Sequence, residues 1–139
     1  MNIKIADLMV AHVVTTQPHK SLGHVKDIML KNGISSVPVV NTENQPVGIV
    51  TSNDLSRGYK DSTPVSHILP DHLITVPAYN DISVAARVMR KHKIHHVLVT
   101  HEKELVGIIS SFDLLQLLDG HKFVMKNPPT PGKKNKSGV

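Results

Sequence analysis

Cysteine is absent from the 139 residues, which excludes disulfide frameworks, thiol nucleophiles and cysteine-based zinc sites. Aromatic side chains make up only 3% of the chain, leaving little for the stacking platforms on which single-stranded nucleic-acid binders rely. No apolar run approaches the roughly eighteen residues a membrane span needs. The opening Met1-Asn2-Ile3-Lys4 leads into patterned sequence with no signal-peptide core, so a cytoplasmic protein without membrane association is expected. Acids are missing from the last twenty residues, where Lys122, Lys126, Lys133, Lys134 and Lys136 lie; residues 1–119 hold eleven basic against eleven acidic side chains. The net charge of +5 therefore belongs to the tail and does not mark a nucleic-acid-binding surface on the body of the protein. With Asn127-Pro128-Pro129-Thr130-Pro131-Gly132 in it, the stretch 123–139 cannot bury enough apolar surface to offset its ordering entropy, and a disordered basic tail is expected. Such a tail reads as a solubilising end, with weak attraction to RNA, DNA or anionic lipid as the alternative.

Ten histidines are present, but no His-x-x-x-His pair with an accompanying Glu marks a helix face. No Gly-x-Ser-x-Gly elbow supports a nucleophile either. No catalytic residue, metal or catalytic cofactor is expected, and the chain reads as a non-enzyme.

An apolar content of 40% is that of a globular domain, and one compact unit is expected. The chain repeats itself. Gly48-Ile49-Val50-Thr51-Ser52-Asn53-Asp54-Leu55 returns as Gly107-Ile108-Ile109-Ser110-Ser111-Phe112-Asp113-Leu114, an offset of 59. Gly33-Ile34-Ser35-Ser36-Val37-Pro38 returns at 60 as Lys93-Ile94-His95-His96-Val97-Leu98, and Val14-Thr15-Thr16-Gln17-Pro18 returns at 59 as Leu73-Ile74-Thr75-Val76-Pro77. Residues 1–60 and 61–122 thus read as two copies of one unit, joined near Arg57 to Pro64.

Each copy shows the same local code. Val13 to Thr16 is a short β-rich stretch, Ser21 can cap a helix carrying Leu22, Val25, Ile28 and Met29 on one face, and Gly33 stops it. Ile34 to Val40 and Val47 to Thr51 read as a hairpin around the turn-rich Asn41 to Pro46, after which Ser52 can cap a second helix. In the second copy Asp81 can cap a helix carrying Ile82, Ala85, Val88 and Met89, and Ser111 starts one that runs through Leu114 to Leu118. The expected class is α/β of the α+β type: two β-α-β-β-α repeats, each too small for a core of its own, packed sheet to sheet about a pseudo-twofold axis with two related clefts.

Over roughly residues 3 to 122 this pattern resembles the tandem CBS-domain pair, or Bateman module. The family's nucleotide signature is Gly, a hydrophobic residue, any residue, Ser or Thr, any two, then Asp. It is met by Gly48, Ile49, Thr51 and Asp54 and again by Gly107, Ile108, Ser110 and Asp113. A strand running into a helix presents amide groups and the positive end of the helix dipole, suited to phosphate. The hydroxyl of Thr51 or Ser110 can donate there, and the acid one turn on can accept hydrogen bonds from a ribose diol. The glycines allow a tight turn or a close backbone approach. Hydroxyl and acid at a helix start are also ordinary capping residues, and that reading stands beside the binding one.

The resemblance implies that an adenosine-containing ligand of the AMP, ADP or ATP type, or S-adenosylmethionine, lies between the repeats as a regulatory ligand. One site would combine Ala11, His12, Ile34 and Ser35 with Ile108, Ser110 and Asp113. Its counterpart would combine Pro70, Asp71, Ile94 and His95 with Ile49, Thr51 and Asp54. His95 or His96 would approach phosphate, more strongly when protonated, so binding would weaken as pH rises. Arg87, Arg90 and Lys91 read as a solvated helix face. The resemblance further implies a homodimer, to which the Leu114–Leu118 end contributes, and an effector protein that reads the bound state. The competing expectations are a nucleic-acid-associated module and a constitutive dimerisation module with empty sites.

Overall fold

Ser21 and Asp81 open the two long helices. In the computed structural model, which describes residues 2–119, Ser21 accepts a hydrogen bond from His24 N–H at 3.2 Å and Asp81 from Ser83 N–H at 2.9 Å. In chain order the elements are α1 Ile5–Leu8, β1 Val10–Ala11, α2 Leu22–Asn32, β2 Ser36–Val40, β3 Pro46–Thr51 and α3 Ser52–Leu55. A 3-10 turn at Val65–His67 leads into β4 Thr75–Pro77, α4 Ile82–His92, β5 His96–His101, β6 Glu104–Ser110 and α5 Ser111–Leu115, closed by a 3-10 turn at Gln116–Leu118. The expected basic tail, 123–139, lies outside the described residues. Among the described residues no helix is long and apolar enough to cross a membrane.

Both long helices end in a left-handed residue, Gly33 (φ 62°) after α2 and Lys93 (φ 54°) after α4, so the second copy tolerates a lysine where the first uses glycine. Leu22, Val25 and Met29 of α2 and Ile82, Ala85 and Met89 of α4 are buried against their own sheets. The sheets then pack on each other. Val40 and Ile49 from one side meet Leu98, Leu105 and Ile108 from the other, with Val13 and Leu73 at the flanks. Asn44 and Leu105 tie the hairpins together, Leu105 N–H donating to the Asn44 carbonyl at 2.9 Å and Asn44 Nδ2 to the Leu105 carbonyl at 3.1 Å.

Two features depart from the expected linear order. The first is an exchange of leading segments. Ile5, fully buried, belongs to the core of the second repeat with Val76, Val97, Val99 and Ile109, whereas Val65 belongs to that of the first with Leu22, Val37, Val39 and Val50. The backbone bonds match, since Ile82 N–H donates to the Ile3 carbonyl at 2.8 Å and Leu22 N–H to the Thr63 carbonyl at 2.9 Å. β1 completes the exchange by pairing antiparallel with β6 in a four-stranded sheet of order β1-β6-β5-β4.

The second concerns the expected strand over Val13 to Thr16, which survives only as a parallel bridge between Thr16 and Val39. In the second repeat β4 pairs with β5 over three residues, Thr75, Val76 and Pro77 facing Leu98, Val99 and Thr100. The structural offset here is therefore 60, with Thr16 matching Val76. Two prolines shorten the ladder. Thr16 keeps its central bonds, its N–H donating to the Pro38 carbonyl at 2.9 Å and its carbonyl accepting from Val40 N–H at 2.9 Å. Pro38, where the second copy has Leu98, has no N–H for the bond at one end, and Pro18 has none for the bond that Ala78 makes to Thr100 at the other.

Thr16 also carries a buried hydroxyl with no partner among the described residues, at the position where the second repeat has Val76. Thr16→Val removes a desolvated, unpaired oxygen and copies the solution used sixty residues on. It is expected to raise the free energy of unfolding by about 1 kcal/mol in urea titration.

Candidate functional site

The local chemistry of the two signatures is nearly identical. Ser110 N–H and hydroxyl both donate to Asp113 Oδ2, at 2.8 and 3.0 Å, and Asp113 N–H returns a bond to Ser110 Oγ at 3.1 Å. Thr51 and Asp54 repeat the arrangement at 2.9, 3.0 and 3.3 Å. These reciprocal bonds make Thr51, one residue before the expected Ser52, the cap of α3. The expected supply of free amides is also reduced, because Ser52 N–H donates to the Ser35 carbonyl and Ser111 N–H to the His95 carbonyl, each at 2.8 Å. Among the described residues the amides of Asn53 and Phe112 keep no partner. Each hydroxyl proton is turned to the acid rather than outward. Each carboxylate spends one oxygen on the cap, while Oδ1 accepts no bond from the described residues and remains available for a ligand.

Capping and binding are thus compatible. Asp113 opens onto a cavity of about 590 Å³, within the 300–1,000 Å³ usual for small-molecule sites. The first repeat contributes Val10, His12, Val13, Val14, Asn32, Gly33, Ile34, Ser35, Ser36 and Pro38, and the second His96, Ile108, Ser110, Phe112 and Asp113. Of the first expected group, His12, Ile34, Ser35, Ile108, Ser110 and Asp113 share this space. Ala11 sits one step behind it in β1, paired with Gly107. His12 follows in the left-handed region (φ 55°), turning the chain from the sheet into the cavity wall. Val13, Val14, Pro38 and Phe112 were not among the expected residues. Pro38 and its missing N–H are visible in the sequence, but their effect needs the strand register.

The second expected group is distributed otherwise. Ile49 is packed with Leu73 and Leu98 between the sheets, Ile94 lies against the second repeat's core, and Pro70 and Asp71 are exposed. His95 turns to Ser111, its Nδ1 lying 3.3 Å from Oγ. Arg87, Arg90 and Lys91 line a separate surface groove on α4 with Ser83 and Ala86. Leu114 and Leu117 cover the second core while Leu115 and Leu118 remain exposed.

The close approach expected of the signature glycines is present. A Cβ on Gly48 would lie 2.6 Å from Leu69 Cδ2, and one on Gly107 2.6 Å from Met9 Sδ and 2.8 Å from the Val10 carbonyl oxygen.

Burial, reinforced by the neighbouring His95, holds the His96 imidazole below its ordinary pKa of 6.5, and the Asp113 carboxylate pulls weakly the other way. His96 is therefore harder to protonate in the folded protein than a free imidazole, which works against the protonation expected to strengthen its approach to phosphate. Between the folded pKa and 6.5 the unfolded chain binds the extra proton, so stability is lost as pH falls through that window. Urea titrations at a series of pH values from about 7.5 down to about 5.5 should show this decline, with His96→Gln removing part of it.

Two repeats jointly wall a cavity of small-molecule size that includes a strand-to-helix corner and its acid, which defines a paired-repeat module. The chain belongs to the CBS-domain family, whose model matches residues 5–61 and again 65–120. Among curated relatives, a homoserine O-acetyltransferase of Methanosalsum zhilinae is 33% identical over 123 residues, covering 87% of this chain and 25% of the relative. The chain thus spans about a quarter of that relative's length. Among solved structures, a putative acetoin utilization protein from Vibrio cholerae matches with TM-score 0.74 at 28% identity, over 85% of this chain and 91% of that one. The CBS pair of protein MJ0100, in complex with 5′-methylthioadenosine and S-adenosyl-L-methionine, matches with TM-score 0.76 at 24% identity over 88% of this chain and 100% of that one. CBSX2 in complex with AMP matches with TM-score 0.73 at 18% identity, over 83% and 95%. Among the described residues no group of three His, Asp or Glu side chains is arranged to hold a metal.

Proposed function

We propose that this chain is a regulatory module that binds an adenosine-containing ligand of the AMP, ADP or ATP type in the cavity in front of Asp113 and passes the bound state to a partner protein. The observation that carries the reading is the position of Asp113 Oδ1. It accepts nothing from the described residues, and Asp113 lines a cavity whose apolar residues Ile34, Val14 and Pro38 suit a flat apolar base. In this reading the acid accepts the ribose hydroxyls, the Phe112 amide and His96 lie towards phosphate, and the module acts without catalysis. The complexes of MJ0100 and CBSX2 with adenosine compounds support the ligand class. Regulation follows where the ligand prefers one packing of the two repeats, because only differential affinity shifts an equilibrium.

The test is a thermal-shift series with AMP, ADP, ATP and S-adenosylmethionine. At least one is expected to raise the melting temperature of the wild type in a concentration-dependent way. Asp113→Ala removes a charged hydrogen-bond acceptor worth about 1.5–3 kcal/mol, so affinity should fall by roughly one to two orders of magnitude. An undiminished shift in that variant refutes the assignment.

A further inference from the structure

The two clefts share their signature chemistry and differ in their opposite walls. Around the open cavity the first repeat offers Val13, Val14, Ser36 and Pro38. At offset 60 the second repeat carries Leu73, Ile74 and Leu98, bulkier in turn than Val13, Val14 and Pro38, while His96, the counterpart of Ser36, lines the open cavity itself. Leu98 is nearly fully buried and shares the cluster between the sheets with Ile49 and Leu73, to which Val13 and Ile108 also belong. Backbone chemistry diverges at the same place. Leu98 belongs to a three-residue parallel ladder with β4, whereas Pro38 has no amide hydrogen and leaves Val14 outside any ladder. On the Pro38 side the wall is therefore small, and the Val14 carbonyl has no ladder donor opposite it. On the Leu98 side the wall is large and its backbone is paired.

We propose that each chain takes a single nucleoside ligand, at Asp113, and that the residue pair Pro38/Leu98, rather than the duplicated signature, decides which cleft is open. Asp54 is then a capping residue alone, and Asp113 both caps and binds. This rests on the reading of the cavity as a nucleoside site.

Isothermal titration calorimetry with AMP and 5′-methylthioadenosine as probes tests the asymmetry. The wild type should bind whichever adenosine probe it takes with one site per chain. Asp113→Ala should weaken the probe by at least about tenfold, while Asp54→Ala, which breaks a cap of the same geometry, should leave affinity and stoichiometry unchanged. Pro38→Leu copies the second repeat's wall and should close the site. Val14→Ile makes the same change in bulk at a part-exposed position and should weaken binding without loss of fold. Two sites per chain, loss of binding in Asp54→Ala, or full affinity in both Pro38→Leu and Val14→Ile overturns the asymmetry and leaves the nucleoside reading standing. Failure of the wild type to bind either adenosine probe overturns the nucleoside reading, and the asymmetry with it.

Discussion

Truncating Ile5 to alanine lowers the free energy of unfolding by about 2–5 kcal/mol, the range for a buried isoleucine whose site cannot collapse. Its side chain is fully buried, yet it sits in a four-residue helix near the start of the chain, where truncation would ordinarily be harmless. A helix that short has no stability of its own in water. It is held by burial of Ile5 against Val76, Val97, Val99 and Ile109, and by the Ile5 and Ala6 amides donating to the carbonyls of Asn80 and Ala78 at 3.0 and 2.7 Å. Val65→Ala is the counterpart in the other core, smaller by one methylene. Urea denaturation of both variants checks the claim, and a loss below about 1 kcal/mol for Ile5→Ala would show that the leading segment is not part of the second core.

Gly107→Ala is expected to be the more damaging of the two signature-glycine substitutions, costing about 2–3 kcal/mol of stability and loosening β1 from β6. The added methyl at Gly48 meets only the tip of Leu69, which can rotate away. At Gly107 it meets the Val10 carbonyl as well as Met9, and Val10 is fixed by pairing with Ile108. The strand must retreat, carrying with it His12, the next wall of the cavity. Ligand affinity should fall together with stability in Gly107→Ala and much less in Gly48→Ala. Equal effects in denaturation and in thermal shift would mean that β1 yields easily and that the close approach is not restrictive.

The parts of this fold written in short windows were legible beforehand. The duplicated Gly-Ile-x-Ser/Thr-x-x-Asp blocks, the caps at Ser21 and Asp81, the Gly33 stop and the apolar faces of α2 and α4 are all local patterns, and each stands where expected. The exchange of leading segments was not legible, because Ile3 to Leu8 is too short to show a period and its partner lies seventy residues away. The inequality of the clefts was present in the sequence as Pro18 and Pro38. The contrast of Pro38 with Leu98 was legible at offset 60, whereas setting Pro18 against Ala78 needed the offset of 60 that pairs Thr16 with Val76, in place of the 59 given by the nearest similar letters. The strand-to-helix corners were expected to present free amides, but those of Ser52 and Ser111 are held by the Ser35 and His95 carbonyls.

The lacing of Ile5 into one core and Val65 into the other is expected to hold the two repeats together even without the connecting stretch as a covalent tether. Around the exposed Gly58 (φ 84°), where an added Cβ would meet nothing within 4 Å, a nick would leave two fragments, each holding the plug that the other lacks. Such halves are complementary by construction, and the integrity of the molecule resides in that mutual insertion more than in the peptide bond that happens to join them.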